Sequence, residues 1–186
     1  MNKKILVIEG SNRQGSFTNE ICRSCVNELE NSEIEAFNAY KTPFHFCNGC
    51  NYCEENGKCV HRDLDAFWES FENADLIIFS SPVYNGGFSS PLKALIDRFQ
   101  FYYTSFYKNG KVQPIKKRRK AVLVITAGRS GVEALDYMEK QLKCAFTILN
   151  TELAGSVLCS FTDTDPDIKK AKSELKSLLK RSLNNE

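Results

Sequence analysis

The sequence predicts an α/β fold: a doubly wound, three-layer sandwich in which a five-stranded parallel sheet lies between two layers of helices. Two observations predict it. Short uninterrupted apolar runs, typical of strands that helices cover on both faces, recur along the chain. Between them lie segments whose apolar residues recur at the helical period of about 3.6. Strands that alternate with helices in this way favour right-handed crossovers and a parallel sheet.

Five strands are predicted. Three are marked by apolar runs at residues 5–8, 76–79 and 121–125, which read Ile-Leu-Val-Ile, Leu-Ile-Ile-Phe and Ala-Val-Leu-Val-Ile. Two weaker strands are predicted at residues 33–40 and 151–158. No internal repeat or linker interrupts this alternation.

Five helices are predicted from five apolar stripes, in each of which the residues share one helical face. The stripes are Ile21, Cys22, Cys25, Val26 and Leu29; then Leu64, Phe67, Trp68 and Phe71; then Leu92, Leu95, Ile96 and Phe99; then Leu135, Met138 and Leu142; and finally Ile168, Ala171, Leu175, Leu178 and Leu179. Segments 41–62 and 104–119 are predicted to be irregular. The second leads into the basic run 116–120, which we interpret as a solvated loop entering the fourth strand.

Size and composition predict one domain spanning residues 1–186, with a cysteine-rich loop at 41–62. The chain has 186 residues and a mass of 21.1 kDa, with 42% apolar and 26% charged residues, close to globular averages. Its formal net charge of +2 gives little attraction to nucleic acid or acidic membranes. No apolar run approaches the roughly 20 residues of a membrane helix, and the N-terminus lacks the apolar core of a signal peptide. A cytoplasmic protein is expected, with neither a nucleic acid nor a membrane as partner.

The loop after the first predicted strand is suited to an anion. Residues 10–18 read Gly-Ser-Asn-Arg-Gln-Gly-Ser-Phe-Thr, which supplies hydroxyls and a guanidinium directly before a helix. The free N–H groups and the dipole of a helix N-terminus favour negative charge. The loop does not match a nucleoside triphosphate P-loop, because Ser16 and Phe17 follow its second glycine. It does not match the dinucleotide fingerprint either, because Asn12 stands where the second glycine belongs.

Two further loops are predicted at the same edge of the sheet, where ligands of such folds bind. Segment 80–87 reads Ser-Ser-Pro-Val-Tyr-Asn-Gly-Gly, and segment 126–131 reads Thr-Ala-Gly-Arg-Ser-Gly. One loop suited to phosphate and two loops of small and apolar residues are compatible with a flat ring that carries a phosphate tail. FMN has this shape.

These loops carry a resemblance to a known family. Segments 10–18 and 81–87, together with Leu-Lys-Ala-Leu-Ile-Asp-Arg at 92–98, resemble the flavodoxin-like NAD(P)H-dependent FMN reductases over nearly the whole chain. The resemblance implies strand order 2-1-3-4-5, noncovalent FMN, NAD(P)H as co-substrate, and a homodimer or homotetramer. Family members commonly carry Trp where this chain has Asn85.

The resemblance also implies the cofactor-binding residues. Four are expected at the phosphate, namely Ser11, Arg13, Ser16 and Thr18. Five are expected along the isoalloxazine ring, namely Pro82, Val83, Tyr84, Asn85 and Gly86. Three are expected on its other side, namely Thr126, Ala127 and Gly128. The cofactor supplies the chemistry, so no residue is assigned as catalytic.

A cluster of four cysteines suggests metal or redox chemistry. Cys47, Cys50, Cys53 and Cys59 are separated by two, two and five residues. This spacing is a poor match to structural zinc sites and closer to the ligand run of a [4Fe–4S] cluster, although the last gap is longer than in bacterial ferredoxins. It also resembles the motif of the iron–sulfur flavoproteins, a branch of the same fold. An iron–sulfur cluster, zinc, redox-active thiols and reduced structural cysteines all remain open.

Three functions follow as hypotheses. The first is an FMN-dependent oxidoreductase that passes electrons from NAD(P)H through flavin to a small-molecule or protein acceptor. The second is an electron carrier between partner proteins, working through FMN and an iron–sulfur cluster. The third is a scaffold that kept the fold without the cofactor, which the hydroxyls and Arg13 of the first loop disfavour.

Overall fold

The computed structural model describes residues 2–184 and contains one five-stranded parallel sheet in the order β2-β1-β3-β4-β5. This confirms the predicted fold class and strand order. The strands are β1 (Lys3–Glu9), β2 (Ser32–Asn38), β3 (Leu76–Pro82), β4 (Arg119–Thr126) and β5 (Thr151–Cys159). The second strand begins and ends earlier than predicted.

The helices of this part of the chain are α1 (Phe17–Val26), α2 (Tyr52–Asn56), α3 (Asp65–Asn73), α4 (Ser90–Asp97), α5 (Gln100–Lys108), α6 (Val132–Ile148) and α7 (Ile168–Leu183). Two of them were not predicted. The first, α2, lies inside the cysteine-rich segment, and α5 takes up the start of the segment predicted to be irregular at 104–119. None of the helices within residues 2–184 is long and apolar enough to cross a membrane.

The two faces of the sheet bury separate cores, which explains the uninterrupted apolar strands. In β1, Ile5 and Val7 pack with α1 and α7 on one face, whereas Leu6 and Ile8 pack with α3, α4 and α6 on the other. Successive strand side chains point to opposite faces, so the middle of a strand covered on both sides is apolar at consecutive positions. The edge strand β2 is more exposed, and its sequence is correspondingly more polar.

The sheet order reverses between β1 and β3, since the chain passes from β1 outward to β2 and then returns to the other side of β1. Loops at the carboxyl ends of these strands therefore meet at one edge. This is the position at which doubly wound sheets bind ligands.

Candidate functional site

A cavity of about 290 Å³ lies at the carboxyl edge of the sheet. It is formed by the loops that follow β1, β3, β4 and β5. The residues that line it are Arg13, Gly15, Ser16, Phe17, Thr18, Pro82, Val83, Tyr84, Thr126, Gly128, Thr162 and Asp163.

The loop after β1 wraps the start of α1. Ser16 is the N-cap of this helix, and its Oγ accepts the backbone N–H of Asn19 at 3.4 Å. Gly10 packs so closely on the backbone of Ser80 and the side chain of Leu92 that a Cβ atom there would overlap both. The loop is thereby held against β3, while the exposed Arg13 extends from it at the cavity wall.

A buried pair of hydroxyls joins this loop to β4. Thr18 Oγ1 lies 2.6 Å from Thr126 Oγ1, at the first turn of α1 and the last residue of β4. The pair ties the helix N-terminus to the end of β4, and both residues line the cavity. An anion at this N-terminus would be stabilised by the free N–H groups and by the helix dipole.

The loop after β3 ends in a tight turn. The backbone of Tyr84 accepts the N–H of Gly87 at 3.1 Å and donates to its carbonyl at 3.0 Å. Asn85 and Gly86 between them have φ of 50° and 78°, the left-handed pair of a type I′ turn that Asn-Gly favours. Because Val83 donates to the carbonyl of Thr126 at 2.8 Å, the turn is fixed to β4 and Tyr84 stands at the cavity wall.

Most of the residues expected at the cofactor line this cavity. They are Arg13, Ser16, Thr18, Pro82, Val83, Tyr84, Thr126 and Gly128. The other expected residues lie nearby: Ser11 lines a neighbouring cavity, Ala127 is buried at the start of the loop after β4, and Asn85 and Gly86 form the exposed turn.

Four lining residues were not among those expected at the cofactor: Gly15 and Phe17 lie within the predicted loop after β1, and the other two come from the loop after β5. Thr162 and Asp163 follow β5, and the Thr162 N–H donates to the carbonyl of Ala127 at 3.0 Å. The signal that could have found them is the position of segment 160–164, which follows the fifth strand directly, just as the other three loops follow their strands.

Two residues that line the neighbouring cavity, Arg23 and Asn38, bind a buried carboxylate at the end of β1. Glu9 is 1% exposed and accepts Arg23 Nε and Nη2 at 2.7 and 2.8 Å and Asn38 Nδ2 at 3.0 Å. Burial alone would raise the pKa of Glu9, but the hydrogen bonds from Arg23 and Asn38 outweigh it and hold the pKa below its ordinary value. Through these hydrogen bonds Glu9 links β1 to α1 and to β2, next to the loop after β1.

The predicted metal ligands are distributed along segment 47–59. Cys47, Cys53 and Cys59 are half-buried and Cys50 is exposed, and all four are free thiols. Cys53 lies on α2, where its Sγ is 3.7 Å from Thr104 Oγ1 on α5. Within residues 2–184, no three His, Cys, Asp or Glu side chains are gathered as a ligand set for a metal ion.

A buried arginine binds the backbone on both sides of this segment. Arg98, 2% exposed, donates to the backbone carbonyls of His45 at 2.6 Å and His61 at 3.0 Å and to Asp63 Oδ1 at 2.9 Å. His45 Nδ1 lies 2.9 Å from Asp63 Oδ2, and the two imidazole rings stack with centroids 4.3 Å apart. We call Arg98, Asp63, His45 and His61 the neck of the cysteine segment.

The neck also sets the charge of Asp63. Burial would raise its pKa, but the hydrogen bonds from Arg98 and from the backbone and ring of His45 hold that pKa well below its ordinary value. The carboxylate is therefore a stable anchor for the guanidinium. Both ends of the cysteine segment are fixed to the end of α4.

The fold is that of a flavodoxin-like α/β protein, and a cavity lies at the switch point of its sheet. The model of the NADPH-dependent FMN reductases matches residues 3–157. The chain belongs to this family of flavin oxidoreductases.

Individual relatives and structures agree with this assignment. An iron–sulfur flavoprotein of Methanocaldococcus jannaschii is 37% identical over 112 residues, covering 59% of this chain and 58% of the relative. An iron–sulfur flavoprotein of Methanosarcina thermophila is 29% identical over 131 residues, covering 69% and 65%. The chain therefore spans less than two thirds of the length of either relative. The structure of an NAD(P)H:quinone oxidoreductase from Methanothermobacter marburgensis has a TM-score of 0.69 at 18% identity, covering 100% of this chain and 96% of the other.

Proposed function

We propose that the chain binds FMN in the cavity at the carboxyl edge of the sheet and acts as an NAD(P)H oxidoreductase. It would pass electrons from the nicotinamide through the flavin to a small-molecule or protein acceptor. The observation that carries this proposal is the cavity itself, which joins a helix N-terminus suited to phosphate to the walls formed by the loops after β3 and β4.

The residues present fit the cofactor. Arg13, Ser16 and Thr18 surround the start of α1, where a phosphate dianion would meet N–H and O–H donors and one positive charge. Pro82, Val83 and Tyr84 offer an apolar and aromatic wall to the ring, and Thr126 and Gly128 line the same cavity from the end of β4 and the loop after it. When bound, FMN supplies the hydride and electron transfer. The chain's part is to bind the phosphate and orient the ring.

Steady-state oxidation of NADH and NADPH by the FMN-loaded protein tests this function. Turnover with a quinone or free flavin as acceptor, without any added protein, is the expected result. Failure of the apoprotein to bind FMN would contradict the whole proposal. Binding without turnover would leave only the second function below.

We propose as the second function an electron carrier of the iron–sulfur flavoprotein type. It is favoured by the C-x₂-C-x₂-C-x₅-C run and by two relatives that are named iron–sulfur flavoproteins. Four free thiols are suitable ligands for such a cluster. In residues 2–184 these thiols are not gathered around one point, so the glycine-containing segment 47–59 would have to close around the cluster.

Anaerobic purification with iron and sulfide analysis separates the two functions. About four irons and four sulfides per chain, together with a flavin spectrum, would support the carrier. Flavin without iron or sulfide would support the oxidoreductase alone. A Cys50→Ser variant, with Cys144→Ser as the matched exposed control, should lose iron only if the segment holds the cluster.

We further propose that the protein is a cytoplasmic homodimer or homotetramer. The family resemblance supports this assembly. Sedimentation of the FMN-loaded protein at several concentrations would measure it.

A further inference from the structure

The loop after β5 brings a carboxylate into the cavity. Asp163 and Arg13 are the charged residues among those that line it. Asp163 takes part in none of the ion pairs found among residues 2–184. The carboxylate is thus free of a charged protein partner at a wall where a ligand would lie.

The backbone holds this loop firmly on the loop after β4. Ala127 donates to the carbonyl of Cys159 at 2.9 Å, and Thr162 donates back to Ala127 at 3.0 Å. Phe161 donates to the carbonyl of Arg129 at 3.0 Å with a φ of 59°, an uncommon conformation for a bulky residue. These bonds fix the position of Asp163 next in the chain.

Gly128 allows the carboxylate to come close. A Cβ atom at this position would overlap the carboxylate oxygen of Asp163, so the side chain lies directly on the glycine backbone. Gly128 and Asp163 therefore form one continuous wall of the cavity.

The chemistry of a carboxylate selects the part of the ligand that it can bind. An ionised carboxylate only accepts hydrogen bonds. The phosphate of FMN would be repelled, and the imide N–H of the ring offers a single donor between two carbonyl oxygens. The ribityl chain between them carries three hydroxyl donors. We infer that Asp163 binds the ribityl hydroxyls of the flavin, an inference that rests on the proposed binding of FMN.

Binding of three flavins to the apoprotein tests this inference. FMN, riboflavin and lumiflavin, which lacks the ribityl chain, would be titrated against wild type, Asp163→Ala and Asp165→Ala. Asp165 is an exposed carboxylate two residues away that does not line the cavity, and it provides the matched control. We expect Asp163→Ala to weaken FMN and riboflavin by the same factor of about ten and to leave lumiflavin unchanged, because hydrogen bonds to a charged group are lost. Asp165→Ala should change none of the three.

Other outcomes would overturn the inference. Unchanged or tighter binding of FMN by Asp163→Ala would mean that the carboxylate only neighbours or repels the ligand, and an equal loss for lumiflavin would place it at the ring. If Asp163→Ala does not fold, Asp163→Asn takes its place. This variant keeps the size of the side chain and should show a smaller loss of affinity for FMN and riboflavin. A wild-type apoprotein that binds no flavin would instead overturn the proposed function itself.

Discussion

Arg13 stands at the cavity wall as an exposed guanidinium next to the N-terminus of α1. A guanidinium can bind a phosphate through two parallel hydrogen bonds, and the N–H groups of the helix add to the attraction. The residue is therefore expected to recognise the phosphate group rather than the ring. This separates its role from that of Asp163.

Arg13→Ala should weaken binding of FMN by about tenfold and leave binding of riboflavin unchanged, because only FMN carries the phosphate. Fluorescence titration of both flavins against the apoprotein measures the two affinities. The matched control is Arg118→Ala, an exposed arginine at the opposite end of the sheet. An equal loss for the two flavins would instead assign Arg13 to the fold of the loop.

Single residues also mark the limit of what the sequence could predict at the site. Ser16, Thr18 and Tyr84 could be placed because they belong to the loops after β1 and β3 or to the first turn of α1, and the carboxyl ends of parallel strands share one edge. The position after β5 places Asp163 at the same edge, but its contact with Gly128 depends on backbone bonds between two loops that lie far apart in the chain. No local pattern encodes such a contact.

At the scale of elements, the uninterrupted apolar runs gave the most reliable strand predictions. The strands β1, β3 and β4 are covered on both faces, so each contains a run of consecutive buried apolar residues. The helix α5 was missed because it follows α4 after only Arg98 and Phe99 and consists largely of aromatic and polar residues, which are weak helix formers. The five residues of α2 are too few to show any periodicity.

The cysteine segment is an element whose attachment no sequence pattern predicted. Arg98 is 37 residues from His61 and 53 from His45 in the chain, yet it bonds to the backbone of both. The thiols between these two points can rearrange only within a loop whose ends stay fixed. The neck therefore positions the segment independently of what the thiols bind.

Arg98→Ala should destabilise the protein by about 3 kcal/mol, because it leaves Asp63 and two carbonyls without their buried partner. It should also speed proteolytic cleavage between residues 46 and 60. Urea unfolding and mapping of the first cleavage sites measure the two effects.

Two variants calibrate this result. Arg98→Lys retains the charge but not the forked geometry, so an intermediate loss is expected. Arg62→Ala removes an exposed ion pair with Asp65 and should change stability by less than about 0.5 kcal/mol. First cleavage outside the segment in Arg98→Ala would contradict the role of the neck.

At the scale of the whole molecule, buried and half-buried carboxylates link separate elements. Glu9 joins β1 to α1 and β2, Asp63 joins the cysteine segment to the end of α4, and Asp75 joins the start of β3 to β1 through the Lys4 N–H at 2.8 Å. For each, burial would raise the pKa but hydrogen bonds and neighbouring positive charges lower it. Their ionised forms therefore stabilise the native state.

The sign of this linkage predicts acid sensitivity. A carboxyl group with a lowered pKa in the folded state stabilises the protein above its unfolded pKa, and this contribution is lost as the pH falls through the folded value. The free energy of unfolding should thus be nearly constant from pH 7 to about 5 and should decline below the ordinary Glu value of 4.5. Urea unfolding at several pH values between 7 and 3 gives the curve.

The variant Glu9→Gln measures how much of this pH dependence of the free energy of unfolding comes from one residue. The amide cannot form the ion pair with Arg23, so a loss of about 1–2 kcal/mol is expected at pH 7, and the gap to wild type should narrow toward pH 3 as Glu9 of the wild type becomes protonated. Glu30→Gln, at an exposed position between α1 and β2, should follow the wild-type curve throughout. A gap that stays constant across this range would show that Glu9 acts through packing and hydrogen-bond geometry, and that the acid sensitivity of the fold comes from its other carboxylates.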